Sequence, residues 1–206
     1  MQRIKNIVFD LGGVIITLNH NEAIRRFKEI GFDRANEILD PCHQQGIFLE
    51  LEEGKLSREE FYEALRKEAG KDISGEAIDY GWFGFLQETP EYKLEMLEQL
   101  KEHYNLYLLS NTNPVIMSWA RTPAFSGKEK SLDDYFDKLY LSYEIGAIKP
   151  NRKIFDFLIE DANINPSETL FIDDGVANIE MGKACGMKTY LATNGEDFRH
   201  LFITQF

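Results

Sequence analysis

Apolar and polar positions divide the chain into two kinds of territory. Ile4 to Asp10 (IKNIVFD) is a short β-branched and aromatic run stopped by Gly12-Gly13, which predicts a buried strand ending at Asp10. Val14 to Leu18 reads as a second extended piece after that glycine turn. The character then changes. Ala23, Ile24, Phe27 and Ile30 recur at helical spacing between Asn21 and Ile30, and Gly31 sits just past the end. Ser57-Arg58-Glu59-Glu60 has the S-x-x-E form of a capping box, ahead of Phe61, Leu65 and Ala69 on one face. Ser74 offers another cap. Residues 20–88 therefore read as all-helical, with no strand pattern.

From Thr89 strands and helices alternate. Pro90 suits the first turn of a helix presenting Leu94, Leu97 and Leu100. Asn105–Ser110 (NLYLLS) and Lys138–Ser142 (KLYLS) read as strands, and Pro150 opens a helix bearing Ile154, Phe157 and Leu158. Thr169–Asp173 (TLFID) is a strand, Ala177–Cys185 a helix ended by Gly186, and Lys188–Ala192 a last strand. Such alternation predicts an α/β fold: a three-layer, doubly wound parallel sheet with helices on both faces. The expected organisation is an α/β core of residues 1–18 and 89–206, with an all-helical subdomain, 19–88, inserted after the first strand.

Composition narrows the function. The chain has 206 residues, enough for one large domain with an insert, and 23 Lys+Arg against 35 Asp+Glu give a net charge of −12. That balance argues against nucleic acid and anionic membrane as partners, because phosphate neutralisation needs clustered Lys and Arg. No apolar run reaches the ~18 residues of a membrane helix. Lys5 and Asp10 interrupt what a secretory signal would need as an apolar stretch. Cys42 and Cys185 stand alone, without metal-ligand spacing, so a reducing, cytoplasmic location is expected. The expected assembly is a monomer or weak homodimer.

In an open parallel sheet, ligands bind beyond the carboxyl ends of the strands. The polar groups there are Asp10, Ser110 and Asn111, Lys149 before a helix, and Asp173-Asp174. Three carboxylates converging on one place repel unless a cation sits among them, and oxygen-only ligands suit Mg²⁺. Lys149 and Ser110 then face an anionic, oxygen-rich substrate. The set describes a phosphoryl-transfer site.

The order Asp-Leu-Gly-Gly-Val, Ser-Asn, Lys-Pro and Asp-Asp resembles the haloacid dehalogenase-like (HAD) hydrolase superfamily. The stretches LLSNTN, IKP and FIDDGVANIEMGKACGM look closest to its sugar-phosphate phosphatases, such as the glucose-1-phosphate phosphatase branch. The resemblance implies a Mg²⁺-dependent phosphatase with a helical cap and an aspartyl-phosphate intermediate on Asp10. It assigns Asp10, Asp174 and the Gly12 backbone carbonyl to the metal. Lys149, Ser110 and the Asn111 amide receive the phosphate, Lys149 also assisting catalysis. Asp173 and Asn178 support these groups from behind.

One departure stands out. Most phosphatases of the superfamily carry a second Asp two residues after the nucleophile as general acid and base; here that position is Gly12. Its loss is expected to favour stabilised leaving groups, such as anomeric or acyl phosphates, unless water, His20 or His43 substitutes. The gap also leaves two other readings: a metal-independent 2-haloacid dehalogenase, or a binding protein with weak or no turnover. Elsewhere plain packing is expected. His103 and His200 read as surface or packing residues, Cys185 as a small packing residue, and Tyr80, Trp82, Phe83 and Phe85 as a helix-packing cluster. Glu50 to Glu53 reads as a solvated helix end.

Overall fold

The computed structural model describes residues 3–39 and 45–202. In chain order the elements are β1 (Asn6–Phe9), β2 (Thr17–Leu18), α1 (His20–Glu29), α2 (Ala35–Ile38), α3 (Gly46–Glu52), α4 (Arg58–Ala69) and α5 (Gly75–Trp82). They continue as β3 (Leu86–Glu88), α6 (Glu91–Lys101), β4 (Asn105–Ser110), α7 (Pro114–Ala120), β5 (Lys138–Leu141), α8 (Ser142–Ile145), α9 (Arg152–Asp161), β6 (Thr169–Asp173), α10 (Val176–Ala184) and β7 (Lys188–Leu191).

Five strands form one parallel sheet in the order β5-β4-β1-β6-β7. β1 is central, with Phe9 beside Leu108 on one flank and Ile172 on the other. The chain builds outward from β1 through β4 and β5, then crosses to build β6 and β7 on the opposite side. That reversal opens a crevice at the carboxyl end of β1. Alternation along the strands loads both faces. Ile7, Phe9, Leu106 and Leu108 pack with Leu94, Leu97 and Leu100 of α6, whereas Val8, Leu109 and Phe171 pack with Ile154, Phe155 and Leu158 of α9. All of these are essentially inaccessible to solvent, and each contributes roughly 1.5–3 kcal/mol of transfer free energy.

Helices α1 to α5 build a core of their own. Phe48 is its hub, with ring centroids 5.1 Å from Phe27, 5.0 Å from Phe61 and 5.2 Å from Trp82. The capping box opens α4 as the sequence predicts: Glu60 N–H donates to Ser57 Oγ at 3.2 Å and Ser57 N–H to Glu60 Oε2 at 2.8 Å.

The helical stretch is not purely helical. β3 pairs antiparallel with β2, Thr17 opposite Glu88, so the chain leaves for the helices and returns from them through one two-stranded ribbon. Leu86-Gln87-Glu88 is too short and polar to register as a strand alone; the partner strand supplies its ladder. Asn194 clasps the edge of this ribbon, its side chain exchanging two 2.9 Å hydrogen bonds with the backbone of Leu18. Two helix starts also move. Pro90 is the residue before α6, and α9 begins at Arg152 behind Asn151, whose side chain accepts from Lys153 N–H at 3.0 Å. An asparagine oxygen satisfies an orphan donor, which proline does not. Cys42 and His43 lie outside the described residues. Among the described residues no helix is long and apolar enough to cross a membrane.

Lys93 of α6 is only 1% exposed and donates to the Val14 carbonyl, with its ammonium 5.3 Å from the Phe198 ring centre. It braces the loop that follows Asp10. Burial, partly offset by Asp197, Glu88 and Glu196, pushes its pKa down to about 8. The folded state therefore holds fewer protons here than the unfolded state between about pH 8 and the ordinary lysine range, so this residue's contribution to stability rises with pH across that window. Urea unfolding of Lys93→Met beside the wild type checks the sign. The variant is expected to have its largest relative advantage, or smallest deficit, below pH 8 and to lose ground as pH rises; a pH-independent difference contradicts the account.

Candidate active site

Asp10 stands one residue past β1, its N–H extending the ladder to the Ile172 carbonyl at 2.9 Å. Its Oδ1 accepts from Leu11 N–H at 2.7 Å and lies 2.8 Å from the Lys149 ammonium. That ammonium, on a side chain 1% exposed, also meets Asp173 Oδ2 at 2.6 Å. The other Asp173 oxygen accepts from Gly175 N–H at 2.7 Å and from Asn178 Nδ2 at 2.9 Å. Both Asp173 oxygens are thus committed to fixing Lys149 and the loop before α10. A charge buried this deeply is tolerable because it is paired on two sides.

Lys149 is placed by its backbone as well. Its N–H donates to Asn111 Oδ1 at 2.7 Å, and Asn111 Nδ2 donates to its carbonyl at 3.0 Å. The Asn111 side chain therefore ties two loops together, and its backbone N–H is the group left for a ligand. Ser110 Oγ makes only a long 3.4 Å contact with the Asn111 carbonyl. A hydroxyl so loosely engaged, on a residue 2% exposed, is available to an incoming oxygen.

Asp174 is exposed and lies against the glycine turn. Gly13 has φ +75°, and a Cβ there would overlap Asp174 Oδ2. Asp10, Asp173 and Asp174 each offer an oxygen within 4.8 Å of the others. Lys149 alone does not balance three carboxylates. Burial first, then Asp173 and Asp174, push the Asp10 carboxyl up to about 7 against the opposing pull of Lys149. Burial and the neighbouring Asp173 also raise Asp174. For Lys149, burial disfavours the ammonium, but Asp10 and Asp173 outweigh it and its pKa is raised. Oxygen donors under mutual repulsion fit a hard divalent cation. With Asp173 already committed, Asp10 and Asp174 are the carboxylates free to take it, beside the Gly12 carbonyl, which accepts no backbone hydrogen bond among the described residues.

These groups form the floor of a cavity of about 660 Å³ whose other walls include Leu49, Glu52, Trp82 and Phe85 from the helical segment. Trp82 and Phe85 thus do more than the packing expected of them: each is buried in the helical core and also lines the cavity. His20 opens α1 at the cavity wall, edge-on to Phe85 with centroids 5.2 Å apart. His103 and His200 are exposed, and Cys185 is half-buried against the core.

Glu52 corrects the sequence reading. It is the last residue of α3 and a cavity-lining one, not part of a solvated helix end. The available signal was its spacing: Glu52 falls four residues after Phe48, on the helix's apolar face. The run Glu-Leu-Glu-Glu obscured it.

A family model described as haloacid dehalogenase-like hydrolase matches residues 4–186. The chain belongs to the haloacid dehalogenase-like hydrolase family. It is 50% identical over 196 residues to the D-ribitol-5-phosphate phosphatase of Bacteroides thetaiotaomicron, covering 95% of each chain. Among solved structures it is similar to a predicted HAD-like hydrolase from Porphyromonas gingivalis, with TM-score 0.94, 43% identity and coverage of 99% and 98%. A HAD-family enzyme of B. thetaiotaomicron, crystallised with magnesium and inorganic phosphate, matches with TM-score 0.93 and 43% identity, covering 97% and 98%.

Proposed function

We propose that this protein is a magnesium-dependent phosphatase of small sugar and sugar-alcohol phosphates, working through an aspartyl-phosphate on Asp10. The observation that carries this reading is the placement of Asp10 against Lys149, with Asp174 beside it, on the floor of a cavity large enough for a small metabolite. The 50% identical relative named as a D-ribitol-5-phosphate phosphatase points to the polyol side of that class.

Asp10, Asp174 and the Gly12 carbonyl would hold the magnesium ion, which when bound cancels the repulsion between a carboxylate and a phosphate dianion. Asp10 attacks phosphorus as the nucleophile. Lys149 neutralises a non-bridging phosphate oxygen, while Ser110 Oγ and the Asn111 N–H orient the others; positioning of this kind dominates phosphoryl transfer. Asp173 keeps Lys149 charged and aimed, and Asn178 keeps Asp173 in place. Residues 19–88 act as a cap over a core of residues 1–18 and 89–206, shaping the substrate side of the cavity and shutting out water. A metal-independent dehalogenase has no use for Asp174 beside two further carboxylates.

Among the described residues the exposed large apolar side chains, Tyr80, Phe157, Val176 and Leu191, lie one to an element, which supports a monomer or weak homodimer. The acidic charge and the two isolated cysteines support a cytoplasmic enzyme without nucleic-acid or membrane partners.

The test is phosphate release across sugar phosphates, sugar-alcohol phosphates, nucleotides and phosphorylated carboxylic acids, with magnesium or with chelator. Five-carbon and six-carbon sugar or sugar-alcohol phosphates are expected to be the best substrates, with at least a hundredfold fall in chelator. Turnover of none of them with magnesium, or equal rates in chelator, overturns the assignment.

A further inference from the structure

Proton transfer is the part of phosphate ester hydrolysis that the floor of the cavity leaves unassigned. Gly12 has no side chain to carry a proton. An alkoxide leaving from an alkyl phosphate is a strong base, and a positioned acid typically assists its departure ~10²–10⁴-fold.

Among the described residues, the cavity wall facing the cradle carries one carboxyl group, that of Glu52. Its placement is built into the backbone. The turn just after α3 lies flush on the start of α8: Gly54 has φ +69°, and a Cβ there would run into the Tyr143 carbonyl. The preceding residue, Ser142, is bonded in turn to the strand end that carries Ser110 and Asn111. Ser142 Oγ accepts from Thr112 N–H at 3.0 Å and donates to the Thr112 carbonyl at 3.1 Å. Glu52 is therefore fastened to the loop that cradles the phosphate, through the backbone approach of Gly54 to Tyr143 and the Ser142 hydroxyl's bonds to Thr112. No hydrogen bond or ion pair reaches its carboxyl group from the described side chains. Burial, then the charge of Asp10, outweigh Lys149 and push that carboxyl up to about 8, a range in which a carboxylic acid keeps its proton near neutrality. His20, also on this wall, packs perpendicular to the Phe85 ring.

Resting on the phosphatase reading above, we propose that Glu52 is the general acid that protonates the leaving ester oxygen and the general base for the water that follows. In the first step an Asp10 oxygen bonds to phosphorus as the ester P–O bond breaks, and the Glu52 proton passes to the departing oxygen, releasing the alcohol. In the second, water attacks the same phosphorus and gives a proton to the Glu52 carboxylate. The P–O bond to Asp10 breaks, inorganic phosphate leaves, and both side chains return to their starting forms.

The experiment is a leaving-group series on Glu52→Gln, from p-nitrophenyl phosphate through phenyl phosphate to glycerol and ribitol phosphates. The expected result is a fall in kcat/KM of at least a hundredfold for the alkyl phosphates and no more than tenfold for p-nitrophenyl phosphate. The dependence of rate on leaving-group pKa steepens accordingly. Because the second step also loses its base, p-nitrophenyl phosphate should give a burst of nitrophenol approaching one equivalent, and acid quenching should trap phosphate on the protein. An equal loss across the series, as for a residue that only binds substrate or holds the fold, overturns the proposal, as does no loss at all. Should the glutamine variant fail to fold, Glu52→Asp reads the same slope: steeper than wild type supports the proposal, unchanged overturns it. Failure of the phosphatase reading looks different, since the wild type would then hydrolyse no member of the series.

Discussion

Replacing Asp10 by asparagine is expected to drop magnesium-dependent turnover below about one per cent of wild type on every substrate, while the protein remains folded. The substitution preserves shape, and an amide oxygen can still accept the Leu11 N–H now bonded to Oδ1. What disappears is the anionic oxygen that the proposed mechanism joins to phosphorus. A hundredfold loss corresponds to ~2.7 kcal/mol of barrier, and the loss of a covalent nucleophile should exceed it. Lys149 keeps its second partner, Asp173 at 2.6 Å, so its buried charge is not abandoned. Steady-state phosphate release together with thermal unfolding and circular dichroism checks both halves. Residual turnover well above one per cent means that phosphorus is attacked by something other than this oxygen.

Gly13→Ala carries the second large effect. The residue has φ +75°, where a side chain costs ~1–2 kcal/mol, and its new methyl group would collide with the Asp174 carboxylate. The carboxylate is the movable partner and must swing out of the cluster. Magnesium affinity measured by titration calorimetry should fall at least tenfold, approaching the loss in Asp174→Asn, and activity should fall with it. Gly127→Ala separates strain from geometry: that glycine has φ +65° with nothing within 4 Å of a Cβ, so it bears the backbone cost without touching the site. Equal magnesium affinity in Gly13→Ala and wild type would show that Asp174 takes no part in holding the ion.

Much of this architecture was legible in the order of residues. Short apolar runs ending in Asp10, Ser110 and Asp173 announce strand ends, and buried strands need little context to be recognised. The Ser57 capping box predicts its own hydrogen bonds because they are local. What escaped depends on contacts between distant residues. β3 is a strand only because Thr17 lies opposite Glu88. The sequence does not show that the Asn111 side chain is spent on the backbone N–H and carbonyl of Lys149, which leaves its own backbone N–H for a ligand. Nothing local marks Lys93 for burial; it is the distant Val14 and Phe198 that close around it. Glu52 was masked by its acidic neighbours, although its distance from Phe48 pointed inward.

The ribbon of Thr17–Leu18 and Leu86–Glu88 has a consequence for how such an enzyme can change. Exit and re-entry are adjacent, so everything strung between them can be swapped for a longer, shorter or unrelated segment without rethreading a single strand of the sheet. Asp10 and Lys149 would be retained by any such graft, whereas Leu49, Glu52, Trp82 and Phe85 would all be traded at once. New substrate preferences are therefore reachable by transplanting one contiguous stretch of chain, with Asp10, Lys149 and the carboxylate cluster carried along unaltered and the proton-transfer group exchanged together with the substrate side of the cavity.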